Sequence, residues 1–304
     1  MSRVVFLLVP GLHLLDLAGP AQVFSSAADL GLDYTLLHVA EWAEVPTAQG
    51  LPVRAREGLP ELDPSDLVLV PGWRAPRLAR TGPLAESSLR WLREHHASGG
   101  MVASVCAGAE ALGRAGLLDG RRCTTHHELQ DELASRYPKA TVVRDVLYTE
   151  DGGIVTSAGI ASGIDLALHL VSARHGPAIA ARIARTMVVY ARRNGDEWQA
   201  SAMLRHRAHL SDIVHRVQDV IDSRFTETLP LAELARESGS SERTVTRTFL
   251  RETGITPLRY QQILRVERAE HLISQGVTVE SAARVVGFGD ARMLRRLRSR
   301  PVDR

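Results

Sequence analysis

The sequence contains few of the features that secreted or membrane-spanning proteins need. Cysteine occurs only twice in 304 residues, as Cys106 and Cys123, which is too few for a framework of disulfide bonds. No apolar stretch reaches the length of about 18 residues that a membrane-spanning helix requires. The apolar run at residues 4–9 ends at Pro10, and no signal-peptide cleavage site follows it. We therefore predict a cytoplasmic protein without a membrane partner.

Lysine is also nearly absent, since Lys139 is the only lysine among 37 basic residues. The charges are unevenly placed along the chain. Residues 243–304 contain 13 arginines and 6 acidic residues, a net charge of +7, whereas the rest has 24 basic and 29 acidic residues, a net charge of −5. A compact region with this excess of guanidinium groups indicates a polyanionic partner for the C-terminal part.

The length favours two domains, at roughly 150 residues for each. Over residues 1–190, short apolar runs alternate with longer amphipathic segments. The runs lie at residues 4–9, 34–39, 67–70, 101–105 and 154–156, and the amphipathic segments at 20–30, 83–97, 107–115 and 164–174. This alternation predicts a doubly wound, flavodoxin-like α/β domain with a buried parallel sheet. We predict a linker at residues 191–210 and an all-α domain at 211–304.

The all-α part repeats itself at an offset of 48 residues. The segment that begins at Leu229 aligns with the segment that begins at Val277, and Gly239 and Gly287 occupy equivalent positions. Each copy predicts a helix, a turn at the glycine and a second helix, which is a helix-turn-helix unit. The two units span about 229–251 and 277–299. Residues 256–273 predict a connecting helix about 27 Å long.

The second helix of a helix-turn-helix unit enters the major groove of DNA, where arginine bonds guanine or phosphate. We therefore predict that the outward-facing residues of these two helices bind DNA. They are Ser241, Arg243, Thr244 and Arg247 in the first unit, with Ser241 as the N-cap, and Arg292, Arg295 and Arg296 in the second.

The same segments resemble the DNA-binding domain of the AraC/XylS transcription regulators. The motifs that carry the resemblance are TLPLAELARESGSSERTVTRTFLRETGITPLRYQQILRVERA and VESAARVVGFGDARMLRRL. The resemblance implies promoter DNA as a partner and RNA polymerase as a further one. It stops near Arg298, before the last helix of that family, so we expect the first unit to dominate DNA binding.

A cysteine marks the candidate site of the first domain. The segment Met101-Val-Ala-Ser-Val-Cys106 runs from a predicted strand into a tight turn and a helix. This is the geometry of a nucleophile elbow, in which the helix dipole favours a thiolate. Asp16 and His126 follow other predicted strands, so all three side chains are expected at the edge of the sheet where α/β proteins bind ligands. Alternatively, Cys106 is a small core residue, Asp16 a helix cap and His126 a surface residue.

Residues 1–180 resemble the DJ-1/PfpI superfamily, and the domain order resembles the GlxA-type regulators. The matching motifs are Leu15-Asp16-Leu-Ala-Gly-Pro, Val70-Pro-Gly72, Val105-Cys106-Ala-Gly, Thr124-Thr-His126 and Thr156-Ser-Ala-Gly159. The resemblance implies an effector-sensing domain that forms homodimers. It places Asp16, Gly72, Cys106, Ala107 and His126 around a pocket for a small-molecule effector.

The resemblance also leaves enzymatic chemistry open. In the enzymes of this superfamily, among them isonitrile hydratase, the elbow cysteine is the nucleophile, and the matching positions here are Cys106, Asp16 and, less closely, His126. Ala107 and His127 depart from the Thr and Trp common in such hydratases, which disfavours catalysis. Three hypotheses follow: a regulator without enzymatic activity, an enzyme that retains a DNA-binding domain, and a dimerising protein that only contacts other regulators. The chain has no Gly-x-Gly-x-x-Gly or P-loop motif, so we predict neither cofactor nor metal.

Overall fold

A computed structural model describes residues 2–75, 82–189, 195, 206–207, 209–274 and 276–299. The chain divides into two compact units, Met1–Gln199 and Ala200–Arg304. Most of the predicted linker at residues 191–210 lies outside the described residues. The two units are described separately below.

The described strands of the first unit are β1 (Ser2–Leu7), β2 (Tyr34–Ala40), β3 (Glu44–Val45), β4 (Val53–Arg54), β5 (Arg56–Glu57), β6 (Leu67–Val70), β7 (Met101–Val105), β8 (Arg122–Cys123), β9 (Thr141–Val142), β10 (Tyr148–Asp151) and β11 (Ile154–Ser157). Seven of them form the main sheet, with the strand order β10-β11-β7-β6-β1-β2-β5. All neighbouring strands in this sheet are parallel except β10 and β11. The five apolar runs of the sequence form the five central strands, which confirms the predicted fold class.

Helices cover the sheet, whose central strands β6, β7 and β11 are almost wholly buried, whereas β2 is mostly only partly buried. The helices of this unit are α1 (Leu14–Asp29), α2 (Glu86–Ala97), α3 (Gly108–Arg114), α4 (Gln130–Arg136), α5 (Ser162–His175) and α6 (Pro177–Thr186). In β6, all four residues are buried. Strands β6, β7 and β11 end side by side, which brings the segments that follow them to one edge of the sheet.

Helix α1 begins earlier than the sequence predicts. The sequence places its start at Pro20, but the helix begins at Leu14 and contains Pro20 in its interior. The reason is packing against α5: a Cβ built on Gly19 would lie 3.0 Å from Ile164, and one built on Gly163 would lie 3.3 Å from the Pro20 ring. This close approach stabilises a helix that proline alone would disfavour. Asp16 therefore lies in the first turn of α1 and is not a helix cap.

The second unit is entirely helical among its described residues. Its helices are α7 (Asp212–Arg224), α8 (Leu231–Glu237), α9 (Glu242–Thr253), α10 (Pro257–Ser274), α11 (Val279–Val285) and α12 (Ala291–Arg298). Helices α8 and α9 form the first helix-turn-helix unit, and α11 and α12 form the second. Gly239 and Gly287 have φ angles of 66° and 83°, so each turn uses the left-handed conformation that glycine adopts without strain.

The connecting helix α10 joins two small hydrophobic cores. Tyr260, near its start, is fully buried with Val245 and Phe249 of α9, whereas Ala269, further along, is buried with Leu294 of α12 and neighbours. Arg265, between them, donates to the carbonyl oxygens of Phe225 at 2.6 Å and Gly287 at 2.8 Å. Helix α10 therefore holds the two helix-turn-helix units in a fixed arrangement. Its 18 residues span about 27 Å.

Candidate functional sites

The first candidate site is the turn between β7 and α3, where Cys106 has a φ angle of 55°. This left-handed conformation is uncommon for a residue other than glycine, and it is the backbone geometry of a nucleophile elbow. Two contacts fix it: the Cys106 N–H donates to the Ser157 carbonyl at 2.9 Å, and the Thr125 hydroxyl donates to the Cys106 carbonyl at 2.7 Å. The thiol is buried, with 5% of the residue exposed.

Two glycines allow other backbone segments to approach the thiol closely. A Cβ built on Gly72 would lie 2.5 Å from Oδ2 of Asp16 and 2.6 Å from Cβ of Cys106. A Cβ built on Gly159, which has a φ of 101°, would lie 2.9 Å from the Cys106 sulfur. Asp16, Gly72, Cys106 and Gly159 therefore converge from four segments of the chain. In the sequence Gly159 is only part of a motif, and its contact with Cys106 is not predicted there.

Asp16 is completely buried in this site. Within the described part of the chain, neither oxygen of its carboxyl group has a hydrogen-bond partner. Burial raises the pKa of Asp16 to about 7, and the amides of Ile160 and Gly72, which face the carboxyl group, oppose the increase only in part. A carboxyl group that titrates near neutral pH beside a thiol can exchange a proton with a bound ligand.

The charge state of Cys106 differs from the one that the sequence predicts. The dipole of the following helix is expected to favour a thiolate. Instead, burial, and to a smaller extent the charge of Asp16, raise the pKa of the Cys106 thiol to about 12, and the Ala107 amide opposes this increase only in part. The dipole effect is therefore outweighed because the charged sulfur would lose its hydration. At neutral pH the site holds a protonated thiol.

The remaining predicted pocket residues lie around this pair in different ways. Ala107 is buried directly after the elbow. His126 is partly exposed, its Nδ1 lies 3.7 Å from Oε2 of Glu128, and it has no hydrogen bond to Cys106 among the described residues. Burial lowers the pKa of His126, and the neighbouring His127 lowers it further. A role for His126 in binding a ligand therefore remains a prediction.

His13 lies beside Gly72 of this site and is not among the residues predicted from the sequence. It is the residue before α1, its N–H donates to the Gly72 carbonyl at 2.9 Å, and its Nδ1 lies 3.1 Å from the side-chain nitrogen of Gln49. Burial lowers the pKa of His13, as does the charge of Arg74. The only available signal is its position three residues before Asp16.

A slow thiol reaction is the first expected result. In a Cys123→Ser background, we expect iodoacetamide to modify native Cys106 at pH 7.5 far more slowly than the urea-unfolded chain, because a thiol with a pKa of about 12 is ionised in only about one molecule in 10⁴ or fewer. Asp16→Asn should accelerate the reaction, since it removes a negative charge beside the sulfur. Intact-mass spectrometry over time measures both rates. Modification of the native protein as fast as of the unfolded chain would contradict the protonated thiol.

The second candidate site is the outer face of α9. Arg243 and Arg247 are exposed there, while Val245 and Phe249 on the opposite face are fully buried. Within the described residues, neither guanidinium group forms an ion pair. The Ser241 hydroxyl accepts from the Thr244 N–H at 3.2 Å and lies 2.9 Å from the Thr244 hydroxyl, so these two residues begin the helix and fix its N-terminus.

The corresponding face of α12 has a different charge distribution. Arg292, Arg295, Arg296 and Arg298 are all exposed, but three of them face a carboxylate. Arg295 forms an ion pair with Glu280 of α11, the Arg298 Nε lies 3.4 Å from Glu270, and the Arg292 Nε lies 3.8 Å from Asp290. Arg296 instead contacts the sulfur of Met293 at 3.0 Å. The recognition helix of the first helix-turn-helix unit therefore presents the free guanidinium groups of Arg243 and Arg247. Those on the recognition helix of the second helix-turn-helix unit are mostly paired.

The described residues contain neither a candidate membrane span nor a candidate metal site. None of the helices described is long and apolar enough to cross a membrane. No group of three or more His, Cys, Asp or Glu residues in the described ranges is placed to hold a metal ion.

Together, the fold and the two sites define a class of protein in which an α/β domain with a buried cysteine elbow is joined to a tandem helix-turn-helix domain. The model of the DJ-1/PfpI family matches residues 2–173, and that of a helix-turn-helix domain matches residues 234–300. The chain belongs to the DJ-1/PfpI family and has an AraC-type helix-turn-helix domain.

Similar proteins agree with this assignment. The chain is 30% identical to the HTH-type transcriptional regulator CdhR of Pseudomonas aeruginosa over 274 residues, 89% of this chain and 80% of CdhR. It is 36% identical to the isonitrile hydratase of Pseudomonas putida over 173 residues, 55% of this chain and 70% of the hydratase. The crystal structure of an AraC family transcriptional regulator from Pseudomonas putida matches with a TM-score of 0.53 and 26% identity, and the match covers 62% of this chain and 100% of that one.

Proposed function

We propose that the protein is a sequence-specific DNA-binding transcription regulator that a small metabolite controls through the first unit. The observation that carries the proposal is the exposed, unpaired pair Arg243 and Arg247 on the second helix of a duplicated helix-turn-helix unit. Free guanidinium groups on this helix can bond base edges and phosphates in the major groove. The similarity to the regulator CdhR over most of both chains supports the same function.

The effector site of this proposal is the one around Asp16 and Cys106. Its buried thiol and a carboxyl group that titrates near neutral pH, with Gly72 and Ala107 beside them and His126 as a further expected contact, suit a small polar metabolite that hydrogen-bonds to both groups. Homodimer formation, contact with RNA polymerase and action in the cytoplasm, where such a regulator meets promoter DNA, are parts of the same proposal.

Substitution of the free arginines tests the DNA site. We expect Arg243→Ala and Arg247→Ala each to weaken binding to a selected operator by about 1–3 kcal/mol if the residue bonds a base, and to relax sequence preference there. A phosphate contact would instead weaken binding to all sequences alike and lower the salt dependence. Fluorescence anisotropy with operator and mixed-sequence duplexes separates the two cases.

The matched control for this experiment is Arg251→Ala, because Arg251 lies on the same helix but already forms an ion pair with Glu252 at 2.6 Å. We expect a much smaller loss of affinity for this variant. Unchanged affinity of both Arg243→Ala and Arg247→Ala, from protein with an unchanged unfolding temperature, would remove these residues from the DNA site.

Enzymatic activity of the first unit is a second candidate function, favoured by the similarity to isonitrile hydratase. Regulators among the relatives indicate a protein that is not an enzyme, and a thiol with a pKa of about 12 is a weak nucleophile. Assay of isonitrile and 2-oxoaldehyde turnover decides between the two. Turnover that is lost in Cys106→Ala would favour the enzyme. If the folded protein shows no turnover, transcription regulation remains as the single proposed function.

A further inference from the structure

One charged residue that pairs with the recognition helix of the second helix-turn-helix unit has no charged counterpart in the first. At the offset of 48 residues, Arg247 of α9 corresponds to Arg295 of α12, and Ala232 of α8 corresponds to Glu280 of α11. Ala232 and Glu280 are both the second residue of their helix, and both are exposed. The same site on the scaffold therefore carries a methyl group in one unit and a carboxylate in the other.

The contacts follow from this difference. Glu280 forms an ion pair with Arg295 across the second unit. In the first helix-turn-helix unit, the acidic residue of the equivalent turn is Glu233, which pairs with Arg224 of α7 at 2.8 Å and not with the recognition helix α9. Arg247 thus has no acidic partner among the described residues, although it holds the position equivalent to that of Arg295.

We infer that Glu280 competes with DNA for the Arg295 guanidinium and thereby limits the contribution of the second helix-turn-helix unit to DNA binding. The inference rests on the proposed DNA-binding function and deepens it. When the second unit meets a phosphate or a base, Arg295 must leave Glu280 or share its charge with it. The carboxylate then faces the negative backbone without a partner. The first helix-turn-helix unit has no such opposing carboxylate at Arg247. It therefore supplies most of the electrostatic part of the affinity for DNA.

Counterion release makes this inference measurable. Each phosphate that a basic side chain neutralises steepens the plot of log affinity against log salt by about 0.9. Arg247 is free to add one such contact, whereas Arg295 adds little while Glu280 holds its charge. Removal of the carboxylate should therefore make the slope steeper by about 0.9, the value for one phosphate contact, because Arg295 becomes available to a phosphate.

The experiment is a double-mutant cycle in the full chain. The variants are Glu280→Gln, Arg295→Gln and the double variant, titrated with a mixed-sequence duplex of about 40 base pairs, roughly four helical turns, at several salt concentrations. We expect Glu280→Gln to bind roughly three- to ten-fold more tightly near physiological salt and to show the steeper slope. Arg295→Gln should cost little in the wild-type chain but reverse the whole gain in the Glu280→Gln background.

The repeat offers a reciprocal control. Ala232→Glu introduces the acid at the equivalent site of the first unit, and we expect it to weaken binding and flatten the salt slope by a similar amount. That loss should largely disappear when Arg247 is also changed to Gln. Thermal unfolding of every variant checks that each change acts on DNA binding and not on folding.

Two kinds of failure are distinguishable. Failure of the folded wild-type chain to bind any duplex at low salt would overturn the proposed function itself. If the wild type binds but Glu280→Gln raises the affinity as much in the Arg295→Gln background as in the wild-type background, then Glu280 acts only by repelling phosphates. That result would overturn the competition between Glu280 and DNA for Arg295.

Discussion

Replacement of Gly287 by alanine is expected to destabilise the second helix-turn-helix unit by about 3–4 kcal/mol, against about 1 kcal/mol for the same change at Gly239. Both glycines have positive φ angles, so alanine is strained at either position. Only Gly287 is also crowded: a Cβ there would lie within 2.7 Å of the Thr226 carbonyl carbon, whereas nothing lies within 4 Å of a Cβ at Gly239. The difference between the two variants therefore isolates the cost of the close approach.

Hydrogen exchange read by mass spectrometry measures both effects, because peptides from α8–α9 and from α11–α12 report on each unit separately. In the Gly287→Ala variant, the protection of amide hydrogens in α11 and α12 should fall strongly. In the Gly239→Ala variant, protection in α8 and α9 should fall much less. Equal losses in the two variants would mean that the backbone at Thr226 moves away at little cost, and the contact would then be unimportant for stability.

The close approach at Gly287 illustrates what the sequence could and could not predict. The repeat predicted both glycines and both turns, and the sequence predicted the cap Ser241, because caps and turns depend on residues within a few positions of each other. The contact between Gly287 and Thr226 joins residues 61 positions apart in the chain. No local pattern contains that information, so the sequence did not distinguish the two glycine turns.

The α/β unit shows the same division. The runs at residues 67–70 and 101–105 predicted their strands to the residue, because a parallel strand buried on both faces needs a continuous apolar segment. Strand β10 was missed because Tyr148-Thr-Glu-Asp lies at the edge of the sheet and has few apolar side chains. The predicted start of α1 was wrong because the prediction relied on Pro20 as the first residue of a helix. The contact with α5 that allows proline inside the helix exists only in the folded protein.

The charges of the sites were the least predictable feature. The sequence named Asp16 and Cys106 as neighbours through a family resemblance, and Arg295 as a DNA-binding residue through helical spacing, and their functional roles remain predictions. It could not indicate that burial leaves the thiol protonated or that Glu280 pairs with Arg295. Both properties depend on distances and hydration, and neither follows from residue type.

The buried carboxyl group of Asp16 is expected to make the first unit less stable as the pH rises. Its pKa is raised from 3.8 to about 7 in the folded protein, so between these values the folded chain binds a proton that the unfolded chain has lost. The free energy of unfolding therefore falls with increasing pH across this window. A shift of this size corresponds to about 4 kcal/mol at 1.36 kcal/mol per pKa unit.

Asp16→Asn should abolish this loss, because asparagine stays neutral. We expect the variant to match the wild type near pH 4 and to exceed its free energy of unfolding by up to about 4 kcal/mol at pH 8. Urea unfolding followed by tryptophan fluorescence is the measurement, and it reports on the first unit alone because all four tryptophans precede residue 200.

Asp66→Asn is the control of opposite sign. Asp66 is also buried, and burial acts to raise its pKa, but hydrogen bonds from the Arg3 side chain at 3.0 Å and backbone at 2.9 Å contribute to a net lowering. Its carboxylate therefore stabilises the fold above its unfolded pKa, and Asp66→Asn should destabilise the unit at neutral pH. A wild-type stability that stays flat from pH 4 to pH 8, with Asp16→Asn no better at pH 8, would mean that Asp16 is ionised and solvated in the folded protein. The site would then present a permanent anion to its effector, which would favour a cationic ligand among the polar metabolites proposed above.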